Sequence, residues 1–344
     1  MKKIFLSFLI ILSFSSSTLA NEIDKYIKQN DFELKSTVSI FVENDKKVLY
    51  KKNPEKLLNP ASILKILTFG SSYLTLGEDY NFETSIYKDS QNNLYLKLGG
   101  DILLSTNDLI DLFNQVKKNF NISKINNIYI DDTIIDKTPY PTSWMEEDVW
   151  PYQRAVTPYI IDNNFTEIAI KRSSLATKVD IIQNDSYKIP IINELKLGDK
   201  QDYKIAKLYG ENSSIIGFSG IINKDELIKL PVLKPEINFN IKLRKALDKA
   251  EIKYFNKITS KKTPKNVYKI ATIEHNIKSI SKPILLASDN FSAEVIFRVA
   301  AAKYINYSHS ATLDDAINMF NCVFNINDDT NIKIADWSGV SRYN

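Results

Sequence analysis

The sequence predicts an α+β protein, and three observations carry that reading. β-Branched runs occur in pairs joined by turn residues, and apolar runs at helical spacing follow capping residues. The composition is globular: 44% apolar and 25% charged residues over 344 positions exclude wholesale disorder and suggest about two domains, enough to bury a large core.

Each element follows from local residues. After a helical lead-in near Ile23 to Lys28, Thr37 to Val42 and Lys47 to Tyr50 predict a hairpin broken at Asn44-Asp45. Asn59 is a good cap and Pro60 suits a first helical position, so Ile63, Leu64, Ile66, Leu67 and Phe69 predict a buried helix from residue 60. Phe82 to Tyr87 and Leu94 to Leu98 predict a strand pair around Asp89-Ser90-Gln91-Asn92, ending at Gly99-Gly100-Asp101. A helix at Leu109 to Val116 and a strand at Ile125 to Ile130 come next. Residues 163–222 read as mainly β, with runs at Phe165 to Ile170, Val179 to Ile182 and Ile215 to Phe218. Two helices complete the chain, one amphipathic at Ile237 to Ala250 and one very apolar at Phe291 to Tyr304.

Composition also narrows function. A single cysteine makes no internal disulfide, and one Cys with two His cannot form a Cys/His zinc site. Two histidines leave little room for a Ser-His-Asp triad, so a serine hydrolase here would use a lysine as base. No glycine-rich phosphate loop occurs. Met1-Lys2-Lys3, the apolar run Ile4 to Phe14 and the end Thr18-Leu19-Ala20 predict a secretory signal over residues 1–20, with the mature chain starting at Asn21. The apolar run is too short for a membrane span, and no other stretch approaches one. Without Lys2 and Lys3 the charge falls from +4 to +2, which gives no support to nucleic-acid binding. The apolar setting of Cys322, between Met319 and Phe324, predicts a buried thiol.

Ser62-Ile63-Leu64-Lys65 places a hydroxyl and an amine on one helical face. The helix start and the apolar flanks both disfavour a protonated lysine, which can then act as a general base. The spacing alone is unspecific, because it occurs three times and also fits a helix-start serine beside a snorkelling lysine. Ser85 to Lys88 falls on a predicted strand, where the two side chains diverge. Ser279 to Lys282 precedes Pro283, expected to push Lys282 out of helical geometry. Ser288-Asp289-Asn290 then supplies a second serine and an amide before the apolar helix, although by itself it also fits an ordinary N-cap. S-x-x-K followed by S-D-N is the signature pair of penicillin-binding proteins and class A β-lactamases.

On these motifs the chain resembles, over roughly residues 36–344, the D-alanyl-D-alanine carboxypeptidases of the S13 family, class C low-molecular-mass penicillin-binding proteins of the penicillin-binding protein 4 type. Leu94 to Asp101 is similar to the family's strand ending in glycines and aspartate. Asp336 to Asn344 is similar to its D-G-S-G-L-S-R-x-N block, with Trp337 in place of a glycine. More than 200 residues separate the two motifs, as in this family and unlike class A β-lactamases.

The resemblance implies a β-lactamase-like transpeptidase domain built from 24–80 and 265–344. An inserted domain over 81–162 and 223–264 and a nested one over 163–222 would lie between. It implies Ser62 as acylating nucleophile, Lys65 as its base, Ser288 as proton carrier and Asn290 as holder of the substrate amide. The expected substrate is a peptidoglycan stem peptide, with β-lactams as inhibitors, no metal or cofactor, and a periplasmic location. The family's third motif, K-T-G, is not in these 344 residues; Lys137-Thr138-Pro139 and Lys262-Thr263-Pro264 cannot replace it. The reading therefore expects a C-terminally incomplete domain with little turnover, apolar helices exposed at Ile63 to Phe69 and Phe291 to Ala302, and a tendency to aggregate or bind chaperones. Its rival is a non-catalytic relative that at most binds peptidoglycan or proteins.

Overall fold

The computed structural model describes residues 19–120, 122, 124–173, 178–208, 215–326 and 334–344. The expected export signal lies outside them except for Leu19 and Ala20. Two compact units are present, Met1–Asn59 and Pro60–Asn344. In the first, residues 19–29 are helical (α1), followed by α2 (Phe32–Lys35) and the predicted hairpin of β1 (Ile40–Asn44) and β2 (Lys47–Lys52). Asp45 and Lys46 turn the hairpin with φ of 48° and 64°, the paired positive values of a tight β-turn.

The second unit opens with a 3₁₀ turn (Ala61–Ile63) that runs into α3 (Leu64–Leu76). The regular helix thus starts four residues later than the cap pattern predicts. Ala61 has φ +47°, which interrupts an α-helical path from Pro60, and Ile63 N–H donates to the Pro60 carbonyl at 3.2 Å instead.

β3 (Asn81–Lys88) and β4 (Leu94–Lys97) pair as predicted, and α4 (Thr106–Phe120), β5 (Lys124–Ile125), β6 (Ile128–Asp131) and α5 (Glu146–Val149) follow. Two three-stranded sheets come next. One has order β12–β7–β8 (Glu226–Pro231, Phe165–Arg172, Val179–Gln183), the other β10–β11–β9 (Asp202–Leu208, Ile215–Ile222, Ile191–Leu197). Alternating Ile168, Ile170, Ile216, Phe218 and Ile222 bury one face of each in a shared core. α6 (Pro235–Lys249) packs on α4, where Leu112 and Phe113 meet Phe239 and Leu243. β13 (Lys253–Tyr254) pairs with β5, and β14 (Ile258–Ser260) and β15 (Tyr268–Asn276) complete a five-stranded sheet of order β14–β6–β4–β3–β15.

α7 (Ile277–Leu285), α8 (Asn290–Tyr304) and α9 (Leu313–Phe324) pack with α3 into a helical layer. Pro283 lies inside α7, so Lys282 stays helical, contrary to the sequence expectation. A proline inside a helix loses the hydrogen bond of its missing N–H and crowds the carbonyl one turn back, a cost of about 3 kcal/mol. Asn276 caps the helix start by accepting from Lys278 N–H at 3.0 Å, and Ile277, Ile280 and Ile284 are fully buried. Tertiary burial outweighs the local preference.

Two further expectations are corrected. Every residue of α8 from Phe291 to Ala302 is buried, because α3, α7 and α9 surround it, so it leaves no exposed patch. α3 does expose apolar residues, Ile66, Leu67 and Leu74, continued by Ile63 of the preceding turn. Cys322 is exposed, not buried. α9 faces the core with Ala316, Met319 and Phe320, and Cys322 follows Phe320 by two residues, about 200° around the helix. Among the described residues no helix is long and apolar enough to cross a membrane.

Candidate active site

α3 buries polar residues and exposes apolar ones. Its inward face carries Lys65, Thr68, Ser71 and Ser72. Ser71 and Ser72 satisfy themselves locally, their hydroxyls donating to the Thr68 carbonyl at 3.0 and 2.8 Å. Lys65 is only 2% exposed. Its Nζ lies 3.0 Å from Ser62 Oγ and donates to the Ser338 carbonyl at 2.6 Å. Ser62 itself is exposed, in the middle of the unit's first turn. A buried amine thus backs an accessible hydroxyl.

Burial holds the Lys65 amine below its ordinary range, against the opposing pull of Asp336, Glu294 and Asp289. In its neutral form the amine lone pair can accept the Ser62 O–H while an N–H stays on the Ser338 carbonyl. The serine lies at the helix start, where the positive end of the dipole favours a developing oxyanion.

The loop that supplies Ser338 is built around Asp336, which is fully buried. Its carboxyl oxygens accept from Trp144 Nε1 at 2.6 Å, from Gly339 N–H at 3.0 Å, from Val340 N–H at 2.8 Å and from Ser341 N–H at 2.9 Å. Thr68 Oγ1 donates to the Trp337 carbonyl at 2.6 Å, so α3 grips this loop at two successive carbonyls. Trp337, at the position of the family block's glycine, stacks on Phe297 with ring centroids 3.7 Å apart and fills the core. Gly339 has φ +78°, and a Cβ there would lie 1.8 Å from the Ala61 carbonyl oxygen. Only glycine lets the loop approach the residue preceding Ser62.

The S-D-N turn is held from residues 153–154. Arg154 is buried between the rings of Phe165 and Phe291, at 4.3 and 4.4 Å from their centroids, and pairs with Asp289 Oδ1. The other Asp289 oxygen caps α8 by accepting from Ser292 N–H at 3.1 Å. Ser288 sits at φ +54° with its side chain exposed. Asn290 Nδ2 donates to Gln153 Oε1 at 3.3 Å. The structure therefore joins Ser62 and Lys65 directly. It gives no direct contact of Ser288 or Asn290 with that pair, and the charge of Asp289 is the link between the turn and Lys65.

Sequence reasoning missed Glu294, Arg154 and Gln153. Glu294 had a signal: an acidic residue inside the apolar run from Phe291 to Ala302, at a position where a charge is rarely buried without a task. The other two contact the site from a distant part of the chain, and nothing local marks them.

Comparison with known proteins gives the family and the fold. The model of the D-Ala-D-Ala carboxypeptidase 3 (S13) family matches residues 19–344. A D-alanyl-D-alanine carboxypeptidase of Actinomadura sp. (strain R39) is 26% identical over 147 residues, 39% of this chain, and the match spans 27% of that relative's length. The crystal structure of penicillin binding protein 4 from Haemophilus influenzae has a TM-score of 0.74 at 20% identity, covering 88% of this chain and 70% of that one. The same protein complexed with a novel β-lactam gives a TM-score of 0.67 at 21% identity, covering 88% and 69%. The fold is thus shared with penicillin binding protein 4, and with the family model matched from residue 19 to residue 344, the chain belongs to the D-Ala-D-Ala carboxypeptidase 3 (S13) family.

Proposed function

We propose that this chain is a serine-type D-alanyl-D-alanine carboxypeptidase that acts on peptidoglycan stem peptides outside the cytoplasm, through an acyl-enzyme on Ser62. The observation that carries this reading is the buried Lys65 amine 3.0 Å from the exposed Ser62 hydroxyl. Neutral Lys65 takes the Ser62 proton as Oγ attacks the carbonyl of the penultimate D-Ala. The tetrahedral oxyanion forms beside the positive end of the helix dipole. On collapse the C–N bond breaks, and the proton passes from Lys65, by way of Ser288, to the departing D-Ala amine. Water then hydrolyses the ester, with Lys65 again as base. Asn290 holds the substrate amide, and its bond to Gln153 keeps it oriented. A β-lactam carbonyl would acylate the same oxygen.

Incubation of the purified protein with benzylpenicillin, followed by peptide mass spectrometry, tests the reading. It expects a covalent adduct on the peptide containing Ser62, and D-Ala release from a pentapeptide. An unmodified protein contradicts it and favours a non-catalytic relative; an adduct on another serine contradicts it by placing the nucleophile elsewhere.

A further inference from the structure

Glu294 is fully buried in the first turns of α8, yet it does not serve packing alone. Its Oε1 accepts from Trp337 N–H at 2.9 Å and from Ser338 N–H at 3.0 Å. The carbonyl of that same Ser338 receives Lys65 Nζ at 2.6 Å. The second oxygen, Oε2, has no hydrogen-bond partner among the described residues. One turn along the helix, Arg298 gives Nη1 to Asp136 Oδ1 at 2.8 Å and to the Thr138 carbonyl at 2.7 Å, and its buried Nε and Nη2 make no hydrogen bond to Glu294 or to any other described residue. A buried carboxyl that is only half satisfied is costly where packing alone would do. A purely structural role would be met as well by an apolar side chain and a reoriented loop.

We propose that Glu294 is a positioning residue for the Ser62–Lys65 pair: it clamps the Trp337 and Ser338 amides and thereby aims the Ser338 carbonyl that holds the Lys65 amine. The inference rests on the acyl-enzyme reading above. The clamp has a direction. The Ser338 N–H shares its peptide plane with the Trp337 carbonyl, so holding it turns that carbonyl the opposite way, onto Thr68 Oγ1 of α3 at 2.6 Å, and anchors the Ser338 carbonyl one peptide further on. Releasing the two amides frees this stretch to rotate, and Lys65 loses the acceptor that keeps its nitrogen at Ser62. Glu294 also sets the charge around the base. Lys65 faces Asp336 from the loop, Glu294 from α8 and Asp289 from the turn before it, while Glu294 faces Asp336 and Arg298. Burial, helped by Asp336, pushes the Glu294 carboxyl up to about 7, so its negative charge appears only as the pH rises through neutrality.

The test measures the rate of acylation by a fluorescent penicillin from pH 5 to 10, with thermal unfolding alongside, for the full chain and for Glu294→Gln and Glu294→Ala. The base must be neutral, so the rate rises with pH through the Lys65 titration. Gln keeps an acceptor for both amides but removes the charge, so Glu294→Gln should remain folded and labelled with its rising limb about one pH unit lower. Ala removes the clamp and should lose about 10²-fold in rate, as displacement of a catalytic group does. A folded Glu294→Gln with its limb at the wild-type pH overturns the proposal, as does a folded Glu294→Ala at the wild-type rate. If Glu294→Ala does not fold, Glu294→Met, which keeps the volume without an acceptor for the two amides, takes its place with the same expected loss in rate. Wild type that fails to label removes the acyl-enzyme reading and this proposal together, whereas labelled wild type with an unmoved Gln limb removes this proposal only.

Discussion

Ser62-Ile63-Leu64-Lys65 and Ser279-Ile280-Ser281-Lys282 share a spacing and a helical backbone, and they end in opposite environments. Lys65 is buried and bonded to its serine and to the Ser338 carbonyl. Ser279 and Lys282 are both exposed on α7. Helicity therefore does not separate them, since α7 continues through Pro283. Burial does. Desolvation disfavours a charged amine and makes a lysine a base, and only the Asp336 loop closing over α3 supplies it. The third copy fails differently: on β3, Ser85 Oγ bonds Glu83 and Thr272 while Lys88 Nζ turns to the Asp89 carbonyl at 3.1 Å.

Substitutions at both helical pairs sharpen this contrast. Ser62→Ala should abolish labelling by a fluorescent penicillin, a loss on the order of 10⁴-fold or more for a nucleophile, while Ser279→Ala leaves it unchanged. Labelling that survives Ser62→Ala breaks the comparison outright. Lys65→Arg should lower acylation by about 10² to 10⁴-fold, because a guanidinium stays protonated and cannot act as base. Lys282→Arg should stay within about twofold, as surface substitutions do.

Gly339→Ala probes the loop that does the burying. A methyl there meets the Ala61 carbonyl at 1.8 Å with the backbone at φ +78°. It should cost about 2–4 kcal/mol in a urea titration, from overpacking and backbone strain together. Gly77→Ala, at φ +87° with nothing within 4 Å of the added carbon, should cost only about 1 kcal/mol. Equal losses at the two glycines would mean that the loop does not press on the serine. The pH profile carries the smallest effect. Acylation should rise with pH and reach half its plateau below the ordinary lysine value of 10.5, the direction in which burial moves Lys65. A limb at or above that value would contradict a desolvated base.

Much of the fold was legible because its signals are local. The hairpin, the β3–β4 pair and α8 all lie where period, caps and turns put them. Ser62 and Lys65 were legible for the same reason, being one helical turn apart. The errors lie where tertiary burial overrode a local rule. Pro283 stays helical because Ile280 and Ile284 are buried, and Cys322 is exposed because α9 spends its core face on Met319 and Phe320. Arg154 was invisible as a site residue because its partner, Asp289, lies 135 residues away, and Glu294, though marked as an acid in an apolar run, gave no sign of its partner because the Trp337-Ser338 peptide lies about 43 residues away.

The most direct measurement of the central claim is peptide mass spectrometry of the protein and of Lys65→Arg after the same exposure to benzylpenicillin. The account predicts a single acyl adduct in the wild type, on the peptide carrying Ser62, and none in Lys65→Arg over the same time. An adduct on the Ser279 peptide, or equal modification of Ser62 in the two proteins, would contradict it.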